Sequence, residues 1–313
     1  MAHGGQSSGA HDVPRGWAAV ILVTGATGFV GGHLLPRLQG ERVRVLVRRA
    51  GACPAAGVEE AVGDLTRPET LPPALSGVDT VVHAAAITAN VKEPYRGAYD
   101  AINRRGTEHL VAAAKEAGAG RLVVMSGLGT KPAPAGTYMA TRWGLEEAVR
   151  RSGIPYVILQ PSVLFGDGAE FVAALARLVR GSPVVPVLGR PDARFQPFWI
   201  DDLTRCLAQA ITDRSLDGRA IPLGGAEHVT MREILETIAA ALGRRPRLVP
   251  LPLGVARVQA GVMSAVLPRP PLTPATLELF DFENATDLDA CERAFGFRPR
   301  GFREHLLASG VEA

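Results

Sequence analysis

From Ala18 onward, short runs of apolar, mostly β-branched residues alternate with longer segments whose apolar positions recur every three to four residues. The runs Val20–Val23, Val43–Val47, Glu59–Val62, Thr80–Val82, Leu122–Met125 and Tyr156–Leu159 predict six strands. Between them Val30–Leu38, Pro68–Leu75, Tyr99–Ala117 and Thr137–Arg151 predict helices. Most of these strands are apolar along their whole length, so both faces of their sheet must be covered. Strands alternating with helices then give an α/β fold: a doubly wound, mostly parallel sheet.

Beyond about Leu164 the pattern loosens into helical segments Gly168–Val179, Asp201–Ile211 and Thr230–Leu242, with a proline-rich stretch Pro183–Pro191 among them. Residues 19–165 are therefore expected to form the nucleotide-binding core. Residues 166–313 are expected to add the last sheet elements and a small, mostly helical C-terminal lobe over the ligand site. Residues 1–18 lack the apolar centre of a signal peptide and read as a disordered tail. The apolar stretch Pro252–Leu267 is broken by Arg257 and Gln259 and is shorter than the ~20 residues of a spanning helix.

The 313 residues are 47% hydrophobic and 21% charged, enough to bury a large core and unlike a disordered or fibrous chain. The net charge of +3 is spread without basic runs or interleaved aromatics, which argues against nucleic-acid binding. Cys53, Cys206 and Cys291 form no metal or redox spacing and read as ordinary reduced thiols of a cytoplasmic protein. The seven histidines do not cluster, and no HExxH, P-loop or GxSxG is present, so no metal site is expected.

The chemistry is concentrated in Thr24-Gly25-Ala26-Thr27-Gly28-Phe29-Val30-Gly31, which leaves the first strand and opens the first helix. Gly25 and Gly28 allow a tight turn and close approach to a pyrophosphate. Gly31 allows helix to pack on strand, and the helix N-terminus supplies amides and a positive dipole end. Arg48-Arg49 follow the second strand, where an NAD-selective site would offer an acid to the ribose hydroxyls. Arginine instead suits a 2′-phosphate, each charge-assisted bond contributing ~1.5 to 3 kcal/mol, so NADP(H) is the expected cofactor with NAD(H) as the alternative. Asp64 and Leu65 of Gly63-Asp64-Leu65 are placed for the adenine, and Ala84, Ala85 and Ala86 for close contact with the middle of the dinucleotide.

Together these residues resemble the short-chain dehydrogenase/reductase superfamily in its extended and atypical branches, over most of the chain. Thr24–Gly31 is similar to its TGxxGxxG motif, and Asn103-Arg104-Arg105-Gly106-Thr107 to its NxxGT. Gln160-Pro161-Ser162-Val163-Leu164-Phe165-Gly166 is similar to its RPSxxFG, with Gln160 in place of Arg. Phe195–Asp202 resembles the group of the complex I accessory NAD(P)H-binding subunit. The resemblance implies a Rossmann-type fold and adds Asn103, Pro161, Ser162 and Val163 to the cofactor-binding residues.

It also implies a catalytic Tyr and Lys four residues apart on one helix face, with a Ser at a strand exit. Here Tyr138 and Arg142 hold those positions, and Ser126 lies a residue or two before the usual serine, with Thr130 able to reach in instead. For Tyr138 to titrate near neutrality its pKa must fall from about 10 to about 7, about 4 kcal/mol of preferential phenolate stabilisation. A cation ~4 Å away in an effective dielectric of ~20 supplies that order of energy. Arg's planar fork, however, would shift the ribose or the Tyr relative to a lysine.

Three functions follow. One is an NADP(H)-dependent oxidoreductase exchanging hydride with a carbonyl or alcohol of a small-molecule substrate, with Ser126, Tyr138 and Arg142 at both cofactor and substrate. The second is a non-catalytic protein holding NADPH as a structural or sensory group, and the third an NAD-dependent sugar-nucleotide epimerase or dehydratase. The apolar stretches Val184–Leu188 and Pro252–Leu267 suggest a hydrophobic partner such as a quinone, isoprenoid or membrane surface, although core packing of the small lobe is the stronger explanation of the same residues. The oligomeric state is not written in the sequence.

Overall fold

The computed structural model describes residues 19–267, 272–280 and 282–311; the tail expected at residues 1–18 lies outside the described residues. The first half runs β1 (Val20–Thr24), α1 (Phe29–Leu34), β2 (Arg42–Val47), β3 (Glu59–Val62), α2 (Pro72–Leu75), β4 (Val78–His83), α3 (Gly106–Glu116), β5 (Arg121–Met125), α4 (Tyr138–Arg151) and β6 (Tyr156–Pro161). The second half runs β7 (Leu164–Phe165), α5 (Glu170–Gly181), β8 (Val184–Leu188), β9 (Arg194–Phe195), β10 (Phe198–Trp199), α6 (Ile200–Thr212), β11 (Arg219–Leu223), β12 (Val229–Thr230) and α7 (Met231–Ala241). It continues with β13 (Arg247–Leu251), α8 (Leu253–Val266), α9 (Pro274–Glu278), α10 (Ala290–Phe295) and α11 (Phe302–Ser309).

All six expected strands are present and join β11 in a seven-stranded parallel sheet of order β11-β6-β5-β4-β1-β2-β3. This is the expected doubly wound Rossmann-type sheet. The order reverses direction between β1 and β4, and the loops leaving their carboxyl ends diverge there to open a crevice. Strand β11 carries Pro222, which counts against a strand in sequence. It lies at the sheet edge, where a missing N–H breaks no ladder bond.

Alternate residues of the strands feed two cores. Ile21, Val23, Val45 and Val123 pack with α1 and α6, and Val20, Leu22, Val81 and Leu122 pack with α2, α3 and α4. A third core, with Phe165, Val185, Ile234, Ile238, Ala256, Leu277 and Phe302, belongs to the smaller lobe. Cys206 and Cys291, distant in sequence, meet inside the first core as free thiols, and burial pushes the Cys206 thiol up.

Prolines explain where the expected helices divide. Pro36 starts a 3-10 turn at Leu35–Leu38 after α1. Pro72 and Pro73 begin α2 after a separate 3-10 turn at Pro68–Thr70. The expected Tyr99–Ala117 helix opens as a wider π turn over Asp100–Arg105 before α3. Pro183–Pro191 contains β8 rather than loop alone, and Pro252–Leu267 folds as α8. No helix of the described residues is long and apolar enough to cross a membrane.

A buried polar chain ties the crevice strands together. His83 Nδ1 lies 2.7 Å from Thr24 Oγ1 and its Nε2 2.9 Å from Thr107 Oγ1, which donates to the Asn103 carbonyl at 2.6 Å. Burial pushes the His83 pKa down to about 4, so the imidazole is neutral in the fold. Its contribution is complete above the unfolded value near 6.5 and is lost as pH falls toward about 4, about 3 kcal/mol in all. Denaturant unfolding should show this loss of stability between pH 6.5 and 4 in the native chain and a flatter profile in His83→Gln; equal slopes would contradict it.

Candidate active site

At the exit of β1, Gly25 has φ +74, and a Cβ there would lie 2.7 Å from the backbone of Ala84 and Ala85 at the exit of β4. Only glycine permits both the conformation and the contact. A Cβ on Gly31 would sit 2.3 Å from the Gly25 carbonyl, so Gly31 lets α1 lie directly on the loop. Gly28 is the N-cap of α1 without a side-chain cap, and the first turn carries no acid. Thr27 and Gly28 are exposed, with Phe29 and Val30 half-buried. The uncapped amides at this turn fit a pyrophosphate.

Arg48 and Arg49 stand exposed past the end of β2, without an ion-pair partner among the described residues. Asp64 Oδ1 accepts from the amide and hydroxyl of Thr66, both at 2.8 Å, and so holds the turn after β3. Leu65 is buried beneath Gly106, whose lack of a side chain lets α3 reach it. Ala86 stands exposed after half-buried Ala84 and Ala85, where the β4 exit loop leaves the sheet.

Three expected cofactor contacts are otherwise engaged. Asn103 is buried, donates to the Ile87 carbonyl at 2.9 Å and accepts the Ile87 amide at 2.8 Å, so both ends of its side chain clamp the loop after Ala86. Ser162 donates to Asn284, and the Val163 amide donates to the same Asn284 side chain at 3.0 Å. Neighbouring Pro161 is buried and accepts the Leu128 amide. These hydrogen bonds hold the loop after Ala86 and the exit of β6 in place.

Helix α4 starts at Thr137, which accepts the Ala140 amide, and the Glu278 carboxylate accepts the amides of Tyr138 and Met139, each at 3.2 Å. The Tyr138 side chain packs against Ala89, Ala275 and Leu279 and edge-on to Tyr99, ring centroids 5.1 Å apart. Arg142 lies beside the phenol and donates to the Leu128 carbonyl at 3.2 Å. A Cβ on Gly127 would be 2.2 Å from its guanidinium. The absence of a side chain at 127, where the resemblance led one to look for serine, makes room for the longer cation.

The expected lowering of Tyr138 by Arg142 is corrected by its surroundings. Burial pushes the phenol up; the Arg142 charge and a hydrogen bond to the Ala89 backbone pull it down, Glu278 adds to the rise, and the net direction is upward. Burial likewise lowers Arg142 against the pull of Tyr138 and Glu146. Tyr138 is therefore a protonated phenol at neutral pH, an acid rather than a base.

Ser126 is not free to polarise a substrate. Its hydroxyl donates to Glu146 Oε1 at 2.5 Å and lies 3.2 Å from Thr130 Oγ1, which donates to the Gly127 carbonyl. Fully buried Glu146 also accepts from Gln160 at 2.8 Å and Arg150 at 2.6 Å. With neutral Gln160 in place of arginine, Arg150 supplies the positive charge. Glu146, Gly127, Glu278 and Phe282 escaped the sequence reading. Only Glu146, one turn after Arg142 on α4, carried a signal. Phe282 packs against Gly129, so the segment around α9 covers the loop 126–130.

A family model described as NAD(P)H-binding matches residues 25–181. The chain belongs to this NAD(P)H-binding family. A ceramide reductase of Caulobacter vibrioides is 31% identical over 238 residues, 74% of this chain and 74% of its own length. The mitochondrial NADH dehydrogenase (ubiquinone) 1 alpha subcomplex subunit 9 of Arabidopsis thaliana is 24% identical over 301 residues, 92% of this chain and 75% of its own. The resemblance to atypical short-chain dehydrogenases/reductases, complex I subunit included, is thus borne out. Among solved structures, MoeE5 in complex with UDP-glucuronic acid and NAD superposes with a TM-score of 0.71 at 24% identity, covering 92% of this chain and 96% of that one. That likeness is one of fold.

The tight fit at Gly31 makes dinucleotide binding sensitive to a single methyl. Gly31→Ala should raise the dissociation constant by about tenfold to a hundredfold, the equivalent of ~1 to 3 kcal/mol of overpacking, in calorimetric titration. Unchanged binding would contradict the described geometry.

Proposed function

We propose that the protein of this NAD(P)H-binding family is an NADP(H)-dependent reductase of apolar carbonyl compounds. The observation that carries the reading is the protonated Tyr138 phenol beside Arg142, packed among Ala89, Tyr99, Ala275 and Leu279. Such apolar surroundings favour an apolar substrate over a sugar nucleotide, whose hydroxyls would be left unpaired. The reduced nicotinamide supplies hydride to the carbonyl carbon when bound. Tyr138 donates its proton to the carbonyl oxygen, and Arg142 stabilises the phenolate left behind. Because Tyr138 is raised, reduction is favoured over alcohol oxidation, which needs the phenolate. The name of the Caulobacter relative, a ceramide reductase, agrees with reduction of an apolar molecule.

Arg48 and Arg49 support NADP(H) over NAD(H) and weigh against the epimerase reading. The second reading, a protein that holds NADPH without turnover, is favoured by one observation: the commitment of Ser126 to Glu146.

Two substitutions test these points. Arg48→Ala should weaken NADPH about tenfold or more and leave NADH nearly unchanged in parallel titrations; equal losses would remove the 2′-phosphate argument. Tyr138→Phe should bind NADPH as the native chain does while losing reduction of a hydrophobic ketone by about a hundredfold or more. The native rate should stay level from neutral pH to about 9, below the raised phenol. Unchanged turnover in Tyr138→Phe would rule out the proton-donor role, and retained NADPH with no turnover in either protein would favour the second reading.

A further inference from the structure

Helix α8 carries its bulky residues on the outside. It packs through Ala256 and Ala260, both fully buried, while Val255, Val258, Val262 and Val266 are 47, 69, 60 and 73% exposed. At the α-helical repeat these valines fall in a stripe about 80° wide, opposite the alanines. Single exposed apolar residues are ordinary, but a row of four along one helix is not. Leu267 at its end and Val249 in β13, the strand leading into it, are exposed as well.

The chain through this region is charged in one sense only, the nearest acid before it being Glu236 beside Arg244 and Arg245. Residues 237–277 contain no Asp or Glu and five arginines, Arg244, Arg245, Arg247, Arg257 and Arg269. Arg244, Arg245 and Arg247 are exposed, and Arg247 shares a strand face with Val249. A second copy related by a two-fold axis would set arginines against arginines. The stripe is a single convex ridge of aliphatic side chains without the aromatic anchors that concentrate binding energy between proteins. A helix of 14 residues is too short to span a bilayer but suits one lying in its interface.

We propose that α8 and the arginine-bearing strand before it dock the protein on an anionic lipid membrane, valines entering the acyl boundary and arginines meeting the headgroups. Helix α8 packs on α9, whose Glu278 holds the first turn of α4 and whose neighbour Leu279 packs against Tyr138. A docked membrane thus lies one helix away from Tyr138. The docking itself stands without the reductase reading; only the consequence, a substrate drawn from the bilayer, rests on it.

The test is cosedimentation of the full chain with phosphatidylcholine vesicles, with and without phosphatidylglycerol, followed by light scattering to give its mass in solution. Binding to the anionic vesicles should exceed that to the neutral ones about tenfold and weaken with added salt. Val258→Asp with Val262→Asp, both at exposed positions, should lose it about tenfold or more while folding as before. Equal binding to both vesicles, no binding, or full binding by the double variant would overturn the proposal. So would a dimer that the double variant converts to a monomer, since a second copy would then cover the stripe. The readout needs no turnover, so failure here is distinct from failure of the reductase reading.

Discussion

The structure depends on how closely two strand exits pass each other. Where β1 and β4 leave the sheet, the Gly25 backbone lies so near Ala84 and Ala85 that a methyl group at 25 would reach within 2.7 Å of them. That approach brings the loop after β4 beside the first turn of α1, so the helix N-terminus and the small residues Ala84 to Ala86 share one crevice. His83, neutral because it is buried, fixes the distance from within by bridging Thr24 to Thr107. Asn103 then holds the next stretch of the loop at Ile87. Cofactor geometry and strand packing are therefore one constraint met by the same few residues.

The reaction end of the crevice is governed by burial. Helix α4 brings Tyr138, Arg142 and Glu146 onto one side at four-residue intervals, each meeting a different environment. The phenol faces apolar groups and stays protonated; the guanidinium fills the slot opened by Gly127; the carboxylate is enclosed by Ser126, Gln160 and Arg150. Charge alone would have lowered Tyr138, but desolvation outweighs it. The outcome is a protonated phenol in apolar surroundings.

The sheet was legible because its strands are apolar throughout and the glycine loop follows the first of them. Strand β11 was hidden by Pro222, which the edge position tolerates, and the division of helices by prolines blurred their boundaries. Tyr138 and Arg142 could be found by their spacing. Their electrostatics could not, since these depend on Glu278 and Leu279, about 140 residues further on. Family likeness suggested cofactor contacts at Asn103, Ser162 and Val163; their hydrogen bonds to Ile87 and Asn284 could not be read from the sequence. A motif gives the position of a side chain; its partners in space decide whether it is available.

In the proposed reaction the crevice delivers hydride and proton to an apolar carbonyl. Single-turnover mixing of the NADPH-loaded protein with ketones and aldehydes of increasing chain length, followed by nicotinamide absorbance, tests it most directly. One equivalent of NADPH should be oxidised per chain, faster as the apolar portion lengthens. NADPH that remains reduced across the whole series would contradict it.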